Sequence, residues 1–299
     1  MYLEHFHLKG PPFALTPNTH YFYNLAGHQA ALNVLMLHLN NGEGFIKVTG
    51  KVGSGKTLLC RVLLERLGDH FVTAYIPNPD LESMTLCKSL AQELGISEDY
   101  FQDQHKLLSM IRDKLIELHA KGKHVVLLID EAQALPTESL EKLRLLTNLE
   151  TQSSKLLQIV LFGQPELNDR LNQGSLRQLK QRITFSNKLP LLKYSELKAY
   201  VNHRLIIASA QGKQTLFFTE AASGLLFHKS KGVPRLINIL CHKALMTAYG
   251  CGRTQVTFFD VMKASKDTES VSNHHSWLAV SLGLVIASAS MLYLLVGRV

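Results

Sequence analysis

The sequence predicts an α/β fold: a parallel sheet between layers of helices, a smaller all-helical unit after it, and a single transmembrane helix beyond that. Three observations carry this. Short apolar runs alternate with helical periodicity as far as Pro190, helical periodicity alone continues to about residue 266, and no charge occurs between Trp277 and Val296. Alternating strand and helix signals mean a parallel sheet with crossover helices, and helices alone mean a further layer. The expected division is 1–190 for the α/β part with a lead-in over 1–40, 191–266 for the helical part, 267–276 for a polar linker and 277–296 for the span.

With 299 residues, 46% hydrophobic and 19% charged, the chain has enough apolar material for one large core or two modest ones. A formal charge of +8 and a pI near 9.2 permit an acidic partner such as a nucleotide, an anionic lipid or nucleic acid. The basic residues are scattered, however; the densest stretch is Arg177, Lys180, Arg182, Lys188 and Lys193, with no acid until Glu196. The four cysteines stand far apart without a CxxC pair, which implies a reducing compartment and no metal site of their own. The adjacent pair His274 and His275 precedes the apolar tail and reads as a membrane-interface flank. MYLEHFHLKG at the start lacks a basic segment followed by an apolar run, so no cleaved signal peptide is expected.

Taken in order, residues 1–24 are rich in aromatics, and Pro11, Pro12 and Pro17 forbid a long helix, predicting an extended lead-in packed on the domain. A helix follows over His28–Leu39 and a buried strand over Phe45–Thr49. Gly50, Lys51, Val52, Gly53, Ser54, Gly55, Lys56, Thr57 and Leu58 come next, opening a helix that runs to Leu67. Gly50, Gly55, Lys56 and Thr57 match the phosphate-binding pattern of Gly, four residues, Gly, Lys, then Ser or Thr. Glycines let backbone N–H groups converge on an anion, the helix start adds its positive end, Lys56 reaches the β and γ phosphates, and the Thr57 hydroxyl ligates Mg²⁺.

Phe71–Ile76 is the next strand, ended by Pro77 and Pro79, and helices are expected over Leu81–Leu94 and Asp103–Ala120. His124–Asp130 is an apolar run too short for a core helix, hence a strand buried on both faces. Asp130 and Glu131 then stand at its carboxyl end, where open α/β sheets place ligands. Asp130 can share Mg²⁺ with Thr57, and Glu131 can accept a proton from an attacking water. A strand merely ending in acids at a helix cap is the competing view; the phosphate loop upstream favours chemistry. After a helix over Thr137–Leu149, the strand Leu156–Phe162 ends in Gly163, Gln164 and Pro165. Gln164 either orients the lytic water, senses the γ phosphate, or is an ordinary turn residue. Ile183–Leu189 is the fifth strand, preceded by the basic LRQLKQR.

Helices are then expected over Ser195–Ala210, Thr219–Lys229 and Pro234–Tyr249, with a short one from Phe258 capped by Thr257. Gly232–Val233–Pro234–Arg235 joins two of them, with proline in a first turn and Arg235 able to project back across the cleft. The run from Trp277 to Val296 matches a bilayer core of about 30 Å at ~1.5 Å per residue. Ala279, Gly283 and Ala287 form one stripe on it.

With phosphate loop, paired carboxylates, Gln164, the Arg182 segment and the GVPR turn in this order, the sequence resembles the AAA+ ATPases. More narrowly, PFALTPN, GKVGSGKT, LLIDEAQ, LLTNLE, LFGQPEL, LKQRI and KGVPRLIN are similar to the membrane-associated branch of the general secretion pathway protein A family. Within it the likeness is greatest to members serving the mannose-sensitive haemagglutinin (MSHA) type IV pilus, and it covers about Tyr2–Ala264. The resemblance implies an AAA+ P-loop NTPase sheet domain with a C-terminal helical lid, and ATP hydrolysis with Mg²⁺. It implies Lys56 and Thr57 for nucleotide and metal, Asp130 for metal, Glu131 as general base, Gln164 and Arg235 as first and second sensors, and Arg182 as the finger reaching a neighbouring subunit, with Arg177 nearby as the alternative. It further implies a homo-oligomer working with pilus or secretion assembly proteins, anchored in a bacterial inner membrane with the ATPase part in the cytoplasm. Secretion relatives continue past their membrane helix into a peptidoglycan-binding domain, and this sequence stops before one, so a cell-wall role is not carried over from the resemblance. Two other function classes are a nucleic-acid-associated AAA+ helper, against which the membrane run argues, and a nucleotide-gated scaffold with little turnover.

Overall fold

The structure, a computed structural model, describes residues 2–269 apart from 78, 80, 153 and 211–216. The expected span at 277–296 and the linker from 270 onward lie outside the described residues. Among those described, no helix is long and apolar enough to cross a membrane.

The chain runs through α1 (Tyr2–His5), α2 (Ala26–Asn40), β1 (Phe45–Thr49), α3 (Lys56–Arg66), β2 (Phe71–Ile76), α4 (Ser83–Glu93), α5 (Gln104–Ala120), β3 (His124–Ile129), α6 (Thr137–Leu146), β4 (Leu157–Gly163), α7 (Glu166–Leu171), α8 (Arg177–Arg182) and β5 (Phe185–Lys188). It continues through α9 (Tyr194–Ala208), β6 (Phe217–Phe218), α10 (Glu220–Ser230), α11 (Pro234–Gly250), β7 (Gln255–Val256) and α12 (Phe258–Lys266).

Strands β1 to β5 form one parallel sheet in the order β2-β3-β4-β1-β5. The inner strands are continuous apolar runs because helices cover both faces. The pleat sends alternate residues to opposite sides. Phe45, Val125, Leu127, Ile129, Ile159 and Leu161 pack with α4 to α8, while Ile46, Val48, Val126, Leu128, Val160 and Phe162 pack with α2 and α3. A third apolar cluster, with Leu197, Val201, Leu226, Ile237, Leu240 and Val261, holds α9 to α12 together. Local signals fix where helices begin: Asp103 accepts from the N–H groups of His105 and Lys106 at the start of α5, and Thr257 and Asp260 cap α12 reciprocally.

The lead-in packs on both parts. A short α1 forms, and Phe6, Leu8, Phe13 and Leu25 are buried in the helical cluster, while Phe22 and α2 pack against the α/β core. Lys9 donates its N–H to Ala208 O at 2.8 Å, tying the segment to the end of α9. Prolines stop a helix from growing; apolar side chains choose what the segment packs on. Nor do strands stop at Pro190, since β6 and β7 pair in parallel. Two residues are too few to show an alternation. The fifth strand, Phe185–Lys188, lies within the expected Ile183–Leu189 and follows α8, which the basic segment forms; along it half-buried and exposed residues alternate as they do at a sheet edge.

Candidate nucleotide site

The sheet order sets the carboxyl ends of β3, β4 and β1 side by side, with β4 in the middle. Thr49 is in register with Gly163, and Ile129 with Leu161, so the residues that follow each strand emerge at one edge. Gly50 donates its N–H to Gly163 O at 3.1 Å, which continues the ladder into the loop.

Gly53 (φ 75°) and Gly55 (φ 98°) adopt the left-handed conformation that side-chain-bearing residues avoid. Space is equally restrictive. A Cβ on Gly50 would stand 2.5 Å from Ser54 Oγ, and one on Gly53 would stand 2.6 Å from Arg235 Cβ. The loop thus closes on itself and on the start of α11, where the Arg235 N–H donates to Gly53 O at 3.2 Å. Helix α3 begins at Lys56, so its unpaired first-turn N–H groups and positive dipole end stand beside the loop. Lys56 is buried, its Nζ donating to Gly50 O at 3.0 Å and Lys51 O at 3.3 Å. Burial lowers its amine from the ordinary lysine value, against the opposing charges of Glu131, Asp130 and Glu166. Ser54 Oγ is buried with no hydrogen-bond partner among the described residues. From beneath, His28 Nε2 donates to Ser54 O at 2.9 Å, and burial lowers this imidazole from its ordinary value, against that hydrogen bond and the charge of Glu196.

Asp130 is buried just past β3. Its Oδ2 accepts from Thr57 Oγ1 at 2.6 Å and its Oδ1 from the Glu131 N–H at 2.9 Å. Burial pushes this carboxyl up, and the two hydrogen bonds oppose the rise. Glu131 has φ 50° and ψ 36°, a left-handed conformation that costs a residue other than glycine about 1–3 kcal/mol. In that pose its Oε2 accepts from Gln133 Nε2 at 2.5 Å and Gln164 Nε2 at 3.0 Å, and Gln133 Oε1 accepts from the Gln164 N–H at 2.9 Å. Burial alone would raise the Glu131 carboxyl; the amides of Gln164 and Gln133, with Lys56, outweigh it and hold the group below its ordinary value. The carboxylate is thus kept charged.

A cavity of about 280 Å³ opens over these groups. Val52, Gly53, Gly55, Lys56, Thr57, Leu58, Glu131 and Arg235 line it, while Gly50, Ser54 and Asp130 are buried. Lys51 and Gln164 line an adjoining opening that Val52 and Arg235 share. Arg182 stands elsewhere. It donates to Thr147 Oγ1 at 3.3 Å, and the neighbouring Thr184 N–H donates to Phe45 O at the amino end of β1. Five residues at ~3.3 Å each separate that end of the sheet from the loop, about 17 Å. Arg177 is exposed at the start of α8.

Several residues at the site carry no role in the sequence reading. Gln133 clamps Glu131, His28 supports the loop, and residues 14–17, Tyr200, Arg204 and Asn238 complete the cavity wall. Gln133, residues 14–17 and Asn238 stand inside LLIDEAQ, PFALTPN and KGVPRLIN, so those motifs held a signal for them; His28, Tyr200 and Arg204 stand in none. For Mg²⁺, the Thr57 hydroxyl and Asp130 carboxylate supply the hard oxygen donors the ion takes. Among the described residues no group of three or more His, Cys, Asp or Glu could hold a metal by itself. This donor set suits an ion whose remaining ligands are phosphate oxygens and water.

Residues 39–171 match the AAA domain family. Over 297 residues, 99% of this chain, the sequence is 40% identical to general secretion pathway protein A of Aeromonas hydrophila, and the match takes up 53% of that protein. The chain therefore spans about half the length of the curated relative it matches. Among solved structures, the Aeropyrum pernix ORC2 protein aligns with a TM-score of 0.61 at 17% identity, covering 88% of this chain and 74% of that one. Drosophila ORC bound to DNA aligns with a TM-score of 0.62 at 18% identity, covering 93% and 67%. The Thermotoga maritima RuvB Holliday junction branch migration motor aligns at 0.55 with 16% identity, covering 84% and 72%. At these identities the structures speak to fold alone, and the fold is the AAA+ P-loop α/β fold, which implies nucleotide binding, usually with Mg²⁺.

Proposed function

We propose that this chain is a membrane-anchored AAA+ ATPase of the general secretion pathway protein A type, which hydrolyses ATP as an oligomer to drive or regulate assembly of a secretion or type IV pilus machine. The observation that carries the reading is the contact of Thr57 Oγ1 with Asp130 Oδ2 at 2.6 Å, which joins the phosphate loop to the carboxylate pair on a second strand. The 40% identity to general secretion pathway protein A supports the secretion class. The motifs quoted above narrow it to a pilus ATPase like the MSHA biogenesis protein M.

Each residue then has a task. Gly50 to Leu58 cradle the phosphates with backbone N–H groups, and Lys56 turns its ammonium from the loop carbonyls to the β and γ phosphates. Thr57 and Asp130 hold Mg²⁺, which when bound neutralises phosphate charge. Glu131, kept ionised by two amides, accepts the proton of an attacking water, and Gln164 couples that base to the occupant of the γ position. Arg235, exposed at the cavity mouth on α11, brings the helical layer over the nucleotide as a lid. Arg182 lies at the far end of the sheet from its own loop and so serves a site on another copy, which makes turnover depend on assembly. Phosphoryl transfer to water depends on such positioning and charge stabilisation more than on covalent chemistry.

The apolar run from Trp277 to Val296 anchors the chain in a bacterial inner membrane, with Lys263 and Lys266 keeping the ATPase part on the cytoplasmic side. The test is fractionation of cells followed by assay: the full chain should stay with membranes through alkaline carbonate, and in mild detergent should turn over ATP only with Mg²⁺. Recovery in the soluble fraction overturns the anchor, and absence of turnover under all conditions of assembly overturns the enzyme.

A further inference from the structure

Helix α12 is the last element among the described residues, and its two sides differ in kind. At ~100° per residue, Phe258, Phe259, Met262, Lys263 and Lys266 fall within an arc of about 140°, and Asp260, Val261, Ala264 and Ser265 take the opposite side. The second set is buried on the helical cluster. In the first set Phe259 is 68% exposed and Phe258 39%, both lysines are exposed and Met262 is half-buried. The one acid of the helix, Asp260, is on the buried side, where Arg253 pairs with it at 2.6 Å. Neither lysine meets an acid among the described residues. Lysines in a last turn suit the negative end of a helix, which accounts for the charges. It does not account for two adjacent phenylalanines left in solvent at the first turn, their rings edge to face at 5.8 Å. Beside Lys263 the face runs into a groove of about 600 Å³ between α11 and α12, which Lys243 and the exposed Met246 also line. The acid of that groove, Asp267, is paired with Lys243 at 2.7 Å, so Lys263 stands there as excess positive charge.

Aromatic rings beside lysines, with no acid among them, match a lipid headgroup layer: the rings enter the acyl boundary, about 5–10 Å deep, while the ammonium groups stay with the phosphates. The chain itself brings such a surface near. Ten residues, 267–276, join α12 to the apolar run that begins at Trp277, and a chain of that length reaches at most about 33–36 Å. A contact too weak to form from free solution forms under such a tether, because the effective concentration is high. We propose that the outer face of α12 lies on the anionic lipid surface of the membrane that holds the tail, with Phe258 and Phe259 at headgroup level and Lys263 and Lys266 on lipid phosphates. The helical layer, and not an edge of the parallel sheet, then rests on the bilayer. The contact rests on the anchored reading for its tether and adds to it a second attachment of different chemistry, sensitive to lipid charge and to salt.

The test uses the full chain, in which Trp277 is the sole tryptophan. With Trp277→Phe and Phe259→Trp together, indole emission reports on the face alone. This protein is reconstituted into vesicles of phosphatidylcholine, with or without phosphatidylglycerol, whose acyl chains are brominated and so quench an indole that touches them. With phosphatidylglycerol the emission should shift to the blue and be quenched. Raised salt, or Lys263→Glu with Lys266→Glu, should reverse both effects, while resistance to alkaline carbonate and ATP binding stay as they were. Emission unquenched in both lipids, or quenched equally in both, overturns the anionic-lipid contact. A blue shift without quenching overturns it too and gives the face to a protein partner or a second copy. Release of the chain by carbonate overturns the anchor instead; salt-sensitive quenching by the anionic vesicles would then still uphold the face, and its absence would overturn both.

Discussion

Gly53→Ala places one methyl group where the phosphate loop meets α11. Two costs follow from the geometry. At φ 75° a residue with a Cβ is disfavoured by about 1–2 kcal/mol. The added carbon would also lie 2.6 Å from Arg235 Cβ and 3.2 Å from Val233 Cγ1, against about 3.5–4.0 Å for carbon atoms at ease. Arg235 Cβ is fixed to the backbone of α11 and cannot rotate away, so relief takes a shift of about 1 Å in loop or helix, an overpacking cost of about 1–3 kcal/mol. Together these amount to about 2–5 kcal/mol. If the loop stays docked, the cost appears as lost global stability; if the loop lifts off, it appears as lost ATP affinity, from about thirtyfold to a few thousandfold. Urea unfolding and ATP titration on the same preparation divide the total between the two. Gly122→Ala is the control, because its φ of 69° carries the backbone cost while nothing lies within 4 Å of the new carbon. It should lose about 1–2 kcal/mol of stability and no ATP affinity. A Gly53→Ala protein within about 0.5 kcal/mol of the original in both assays would refute the close packing of loop on α11.

The amide clamp on Glu131 sets a pH dependence. Gln133→Ala removes a donor to the ionised carboxylate, so the Glu131 pKa should rise toward its ordinary value; a base works only when deprotonated, so the acid limb of the kcat profile should move to higher pH, and an unmoved limb would show that Gln133 does not tune the base. In the proposed assembly Arg182→Ala should lower turnover by about a thousandfold or more with ATP binding intact, and activity per subunit of the unaltered chain should rise with concentration. Activity that is flat on dilution with normal Arg182→Ala turnover removes Arg182 as the finger, and a selective loss in Arg177→Ala moves the role to that exposed side chain.

Much of this architecture was legible because it is written in local chemistry. The buried strands are apolar runs such as HVVLLI and LQIVLFG, and the loop's glycines, Lys56 and Thr57 stand at fixed spacing between a strand and a helix. The carboxylates and Gln164 could be placed at one edge from parallel topology alone, since each ends a strand. What escaped is long-range. Arg204 meets Pro12 across 192 positions, and the lead-in's aromatics gave no sign of which core they would join. His28 read as one turn of a helix, yet it supports the loop 26 positions later. β6 and β7 are too short to carry a period, and the residue types around Glu131 gave no sign of its left-handed backbone.

The central claim is that Glu131 is the base of an ATP-hydrolysing site built on the Lys56 loop, and single-turnover hydrolysis by Glu131→Gln tests it most directly. Glutamine keeps the side-chain length and cannot accept the proton. The account predicts ATP affinity within about threefold of the unaltered chain, hydrolysis slower by at least about a hundredfold, and no ATP binding by Lys56→Ala prepared alongside. Hydrolysis by Glu131→Gln at the unaltered rate, with ATP bound at the Lys56 loop, would contradict it.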